Sequence, residues 1–134
     1  QIWIASHMDS EERFMKFDEC IRSIRTVFDG IIMVSMSFCD INFKLDNFDS
    51  NIVKFIHYEK LTQFEHIKFL FNNFKEKFNN NERIMFIDDD DMLISIPEEF
   101  NSNKIVLSKQ YICDDKSTFN ELLNNQNFSL VFHI

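Results

Sequence analysis

Apolar residues along this chain come in two patterns: short unbroken runs, and longer stretches where they return every three or four positions. Ile2-Trp3-Ile4-Ala5 is an unbroken run and predicts a buried strand. Phe14, Phe17, Ile21, Ile24 and Phe28 follow at helical spacing and make one stripe. Asp9 or Ser10 stands at the N-cap position, with Asp9 and Glu12 at capping-box spacing, and Gly30 stands where a C-cap glycine belongs. Ile31 to Met36 predicts a second strand, apolar enough to be covered on both faces. Asp40 to Asn51 is polar and reads as a loop before a third strand, Ile52 to Ile56. Thr62 and Glu65 form a second capping box, and the helix behind them carries Phe64, Ile67, Phe71, Phe74 and Phe78 as its apolar stripe. Asn79 to Asn81 ends that helix, and Ile84 to Ile87 is a fourth strand. Lys104 to Leu107, Thr118 to Asn124 and Phe128 to Phe132 predict strand, helix and strand.

Strands alternating with helices predict an α/β fold, a mostly parallel sheet with flanking helices, in a single domain over residues 1–134. In such sheets ligands bind beyond the carboxyl ends of the strands. That rule gathers Ser6 to Asp9, Ser35 to Ser37 and the residues after Ile87 around one crevice.

Composition narrows the chemistry. Gly30 is the only glycine in 134 residues, which excludes a P-loop and a G-x-G-x-x-G fingerprint, since both need several glycines for close backbone approach to phosphate. A net charge of -8 leaves no basic stripe for nucleic acid. Cys20, Cys39 and Cys113 are widely spaced and odd in number, as expected of buried thiols in a reducing, cytoplasmic setting. The longest apolar stretch, Gly30 to Met36, is far short of a membrane span. Both ends of the chain lie in strand-like runs, so it reads as part of a longer protein. His7, His57 and His66 lack zinc-ligand spacing; His57 and His133 read as packed core or edge residues of apolar strands, and His66 as a helix-flank residue at the surface or partly buried. The phenylalanine stripes and Trp3 read as core.

The most informative feature is Asp88-Asp89-Asp90-Asp91, directly after the apolar run Ile84-Met85-Phe86-Ile87. Clustered carboxylates repel, and each must stay hydrated or find a cation. Oxygen-only ligands of this hardness suit Mg²⁺ or Mn²⁺. If the segment stays extended, Asp88 and Asp90 share one face and Asp89 and Asp91 the other. The plainer alternative is a solvated acidic loop capping a neighbouring helix.

The run Ile84 to Leu93 resembles the fourth strand and D-x-D motif of family 2 glycosyltransferases with the glycosyltransferase A fold. Cys20-Ile21-Arg22-Ser23-Ile24 is similar to the "C-L-x-S-I" stretch those enzymes carry after their first strand, and Gln63-Phe64-Glu65-His66 is similar to versions from large DNA viruses. The resemblance implies a nucleotide-sugar-dependent transferase, or its donor-binding portion, acting on a sugar, glycan or protein hydroxyl, with a UDP-sugar as donor and Mn²⁺ or Mg²⁺ as cofactor. It implies metal ligation by Asp88 and Asp90 with Asp91 beside them, and donor contacts from Ala5, Ser6, His7, Ser35, Gln63, His66, Asp88 and Asp89. It also implies inversion at the anomeric carbon, with the acceptor base beyond the residues that can be matched here. Ser35-Met36-Ser37 stands where the family has an aspartate, and Gln63 and His66 where it has an arginine. Two rivals compete: another Mg²⁺-dependent phosphate-handling enzyme, such as a nucleotidyltransferase or phosphohydrolase, and a non-catalytic nucleotide-sugar-binding module. The phosphate chemistries usually want a basic residue in the crevice near the metal, where Arg83 and Lys60 are the candidates and neither is well placed.

Overall fold

The structure, a computed structural model, describes residues 1–38, 49–77, 83–96, 106–108 and 131–133. The chain divides into two compact units, Gln1–Leu93 and Ile94–Ile134. In the first, β1 (Ile2–Met8) pairs in parallel with β2 (Ile32–Phe38) on one side and with β4 (Met85–Asp88) on the other. Strand β3 (Ile52–His57) pairs in parallel with β2, so the order is β3-β2-β1-β4. Helix α1 (Glu11–Val27) joins β1 to β2, and α2 (Gln63–Phe74) with a 3-10 turn, Lys75–Lys77, lies between β3 and β4 in sequence. This is the α/β layer that the alternating pattern predicts.

Strand periodicity assigns the two faces. Trp3 and Met33, partners in register, pack with Leu70 of α2, and Phe55, Phe69, Phe74 and Ile84 close around them. Ile2, Ile4, Ile32 and Val34 point the other way and are buried with Phe17, Cys20, Ile21 and Ile24 of α1. Trp3 is therefore core, and its ring meets Phe86 edge-on at 5.7 Å. The α1 stripe is core in its middle, while Phe14 and Phe28 at its ends are half-buried.

Local details depart from the sequence pattern for identifiable reasons. Ser10, not Asp9, caps α1: its Oγ accepts the Arg13 N–H at 3.2 Å. The third helical residue is then Arg13, so the Asp9–Glu12 box does not form. Helix α1 ends with Phe28 as its extended cap, and Gly30 lies beyond it. What Gly30 supplies is clearance, because a Cβ there would lie 2.4 Å from Cζ of the Phe28 ring. Arg25 fastens this corner, donating to Gly30 O at 2.7 Å and, through Nε and Nη2, to both carboxylate oxygens of Asp49. Strands β1 and β2 run past their apolar runs because pairing continues through His7↔Ser37 and Met8↔Phe38.

Helix α2 differs most. The Thr62–Glu65 capping box forms as expected. Yet the buried residues are His66 and Leu70, while Phe64 and Phe71 are 72% and 51% exposed. The stripe that reads as core is thus turned partly to solvent. The cause lies in β2, where Ser35 and Ser37 hydrogen-bond both nitrogens of the His66 ring and fix the helix's rotation about its axis.

In the second unit β5 (Val106–Ser108) and β6 (Val131–His133) pair antiparallel, with Val106 opposite His133. The expected helix at Thr118 to Asn124, most of the loop from Asp40, Cys39, Cys113 and Phe78 lie outside the described residues. Among the described residues no helix is long and apolar enough to cross a membrane.

Candidate functional site

The parallel sheet puts the carboxyl ends of β1 and β4 side by side, with Ala5 opposite Asp88. Strand β4 stops at Asp88, and the Asp91 N–H donates to Asp88 O at 3.1 Å. The four aspartates therefore form a turn rather than an extended segment, and the expected two-against-two alternation does not hold. Each carboxylate has its own environment. Asp89 is buried, 5% exposed. It accepts the Ser6 hydroxyl at 2.7 Å and the His7 N–H at 3.4 Å through Oδ2, and Arg13 Nη2 at 2.8 Å through Oδ1. Asp90 is exposed, with Oδ2 3.6 Å from Arg13 Nη1. Asp88 is exposed and accepts a hydrogen bond from the Gln63 amide at the start of α2. Asp91 is half-buried.

The floor under this turn is α1. Cys20 Sγ–H donates to Asp88 O at 3.5 Å, and the Leu93 N–H donates to Ser23 Oγ at 2.9 Å, pinning the chain on either side. Burial, reinforced by the aspartates nearby, pushes the Cys20 thiol up to about 12. It is a packed thiol, not a nucleophile.

Opposite the turn lies a chain of polar groups. Ser35 Oγ is 2.8 Å from His66 Nδ1 and 2.8 Å from His57 Nε2, and Ser37 Oγ is 3.1 Å from His66 Nε2. The Leu61 N–H donates to Ser37 Oγ at 3.0 Å. Burial, then the neighbouring His57 and His7 rings, push His66 down to about 4, so its ring is neutral near pH 7. One proton arrangement satisfies every group: Ser37 donates to Nε2, Nδ1–H donates to Ser35, and Ser35 donates to His57. His66, expected at the surface or partly buried on a helix flank, is instead fully enclosed at 2% exposed. His57 is half-buried on edge strand β3.

These elements enclose a cleft of about 250 Å³. Of the residues singled out from sequence, Ala5, Ser6 and His7 of β1, Gln63 and His66 of α2, and Asp88, Asp89 and Asp90 line it. Ser35 and Asp91 do not: Ser35 is fully buried beneath His66. Arg13 and Leu61 line the cleft as well, and neither stands out in the sequence reading. The basic residue on the cleft is thus Arg13, whereas Arg83 and Lys60, the expected candidates, are not among its lining residues. A signal for Arg13 existed. A helix following β1 must start at the sheet's carboxyl edge, and a cation in a helix's first turn opposes the helix dipole unless an anion meets it there.

Among the described residues no group of three or more His, Cys, Asp or Glu side chains converges as a metal-ion site. Asp88 and Asp90 are the exposed carboxylates on the cleft. Two carboxylates suit an ion such as Mg²⁺, which completes its shell with water and ligand phosphates.

The described architecture defines an α/β protein with an acidic cleft at the carboxyl edge of a parallel sheet. No protein family, curated protein or solved structure matches the chain.

Proposed function

We propose that the cleft binds a nucleotide diphosphate-sugar together with Mn²⁺ or Mg²⁺, and that the protein is a glycosyltransferase or the donor-binding portion of one, with a glycosyltransferase A-like fold. The observation that carries this reading is the convergence of Asp88 and Asp90 with the β1 end and the start of α2 on one cleft, at the sheet edge where α/β proteins take their ligands. Asp88 and Asp90 hold the ion, which when bound offsets the charge of the departing diphosphate. Asp89 positions rather than ligates, since its oxygens are committed to Ser6, His7 and Arg13. Ala5, Ser6 and His7 frame the nucleotide, and Gln63 reaches the same space from α2. Acceptor attack at the anomeric carbon also requires a general base. A reducing, cytoplasmic setting goes with this reading, since Cys20 is a free, buried thiol.

Calorimetry with UDP in the presence of Mn²⁺ tests it. Wild type is expected to bind more tightly with the metal present, and Asp90→Ala to lose about tenfold or more of that metal-dependent affinity, as expected for one carboxylate removed from an ion. Equal binding by both proteins would sink the metal assignment.

Arg13 favours a second reading, a Mg²⁺-dependent phosphate-handling enzyme, because that chemistry wants a cation beside the metal carboxylates. Hydrolysis of UDP-glucose compared with ATP and nitrophenyl phosphate separates the two. Release of glucose points to sugar transfer, and turnover of the other substrates to phosphate chemistry.

A further inference from the structure

Arg13 is the cationic side chain that lines the cleft, and its surroundings divide into a fixed contact and a loose one. The fixed contact is Nη2 to the buried Asp89 at 2.8 Å. That carboxylate is itself held by the Ser6 hydroxyl and the His7 N–H. The loose contact is Nη1 to the exposed Asp90, at 3.6 Å beyond normal hydrogen-bonding distance. A guanidinium carries five N–H donors in a rigid fork matched to carboxylate and phosphate. Two carboxylates approaching Nη1 and Nη2 leave donors to spare, and about a third of the side chain is exposed.

We infer that Arg13 is the anion anchor of the cleft, with Asp89 aiming its fork and Asp90 occupying, in the absence of ligand, the place a phosphate takes. The ligand class is a diphosphate-bearing molecule, and the inference rests on the reading of the cleft as a diphosphate site. An anion entering the cleft displaces the loosely held Asp90 from Nη1. Asp90 is then released toward a divalent cation, so anion and cation assist each other's binding. The alternative role is purely structural: Arg13 neutralises Asp89 and has no part in ligand capture.

The two roles separate with inorganic pyrophosphate and UDP as probes, each titrated with and without Mn²⁺, on the full chain. Arg13→Lys keeps the charge beside Asp89 but loses the fork; it is expected to weaken pyrophosphate binding about tenfold to a hundredfold. Asp90→Asn removes the internal competitor and is expected to strengthen metal-free pyrophosphate binding while abolishing the gain from Mn²⁺. A purely structural role predicts unchanged pyrophosphate binding in Arg13→Lys, which keeps the charge beside Asp89, provided its circular dichroism is unchanged. Mn²⁺-dependent UDP binding of equal strength in wild type and Arg13→Lys overturns the anchor and leaves the nucleotide reading standing. Arg13-dependent pyrophosphate binding with no response to Mn²⁺ supports the anchor and removes the metal. No binding of either probe by wild type, in either condition, overturns both.

Discussion

A neutral imidazole buried between two serines costs little, because every polar atom around it is satisfied; a charged one is poorly solvated there, and the pull of Glu65 only partly offsets that cost. His66 is in that position, and the pH dependence of stability follows. Its folded pKa is about 4, against an ordinary 6.5. Above 6.5 the ring is neutral whether the chain is folded or not. As pH falls from there toward 4, the unfolded chain takes up a proton that the folded one refuses, and stability drops by on the order of 3 kcal/mol at most. His57, His7 and Glu65 are the titratable groups facing the ring. Urea unfolding between pH 7 and 4.5 is expected to show this decline in wild type and a shallower one in His66→Gln. Cys20 offers a second check. With its thiol raised to about 12, iodoacetamide at pH 8 is expected to leave it unmodified in the folded protein and to label it in urea, read by peptide mass spectrometry. A buried thiol at Cys20 is legible from sequence, but the burial of His66 is not. A histidine at that spacing reads as a flank residue until two strand serines are known to sit beneath it, and that depends on the β2–β3 register.

Among the elements, α2 shows both the strength and the limit of periodicity. Its start is fully local: Thr62 and Glu65 bond to each other's backbone N–H, and Thr62→Ala is expected to cost about 1 kcal/mol in chemical denaturation. Its rotation is not local. Phe64, Ile67 and Phe71 form a good stripe, but a helix settles where its partner sheet satisfies it, and here the partners are Ser35, Ser37, Trp3 and Met33. Leu70→Ala is accordingly expected to cost about 2–5 kcal/mol. Phe71→Ala, on the half-open side, is expected to change stability by less than about 1 kcal/mol. The reverse order in a urea series would show that the stripe, not the histidine, faces the sheet. Helix α1 was easier to read because apolar β1 and β2 offer its stripe no polar competitor, save at its first turn, where Arg13 answers to Asp89.

In the whole molecule, the sheet runs from covered centre to open rim. Residues of β1 and β2 are almost all buried, while Val53, Ile56 and Phe86 on the outer strands are 38%, 48% and 54% exposed. Amide hydrogen exchange is expected to be slowest at Ile4 and Val34 and faster along β3 and β4. The α/β layering was legible because unbroken apolar runs alternate with helical ones, and the parallel-sheet rule then located the acidic turn at a ligand-bearing edge. Strand order was not legible, because nothing local records that β4 crosses back to lie beside β1. That crossing has a consequence for the life of the chain. Ser6 and Asp89 stand 83 residues apart, and every link across the cleft waits for β4 to arrive. A nascent polypeptide carries its four acidic residues fully hydrated and mutually repelling until that slow, long-range closure. Whatever occupies the cleft can therefore recognise only chains in which β4 has already docked beside β1, and occupancy doubles as a report of that closure.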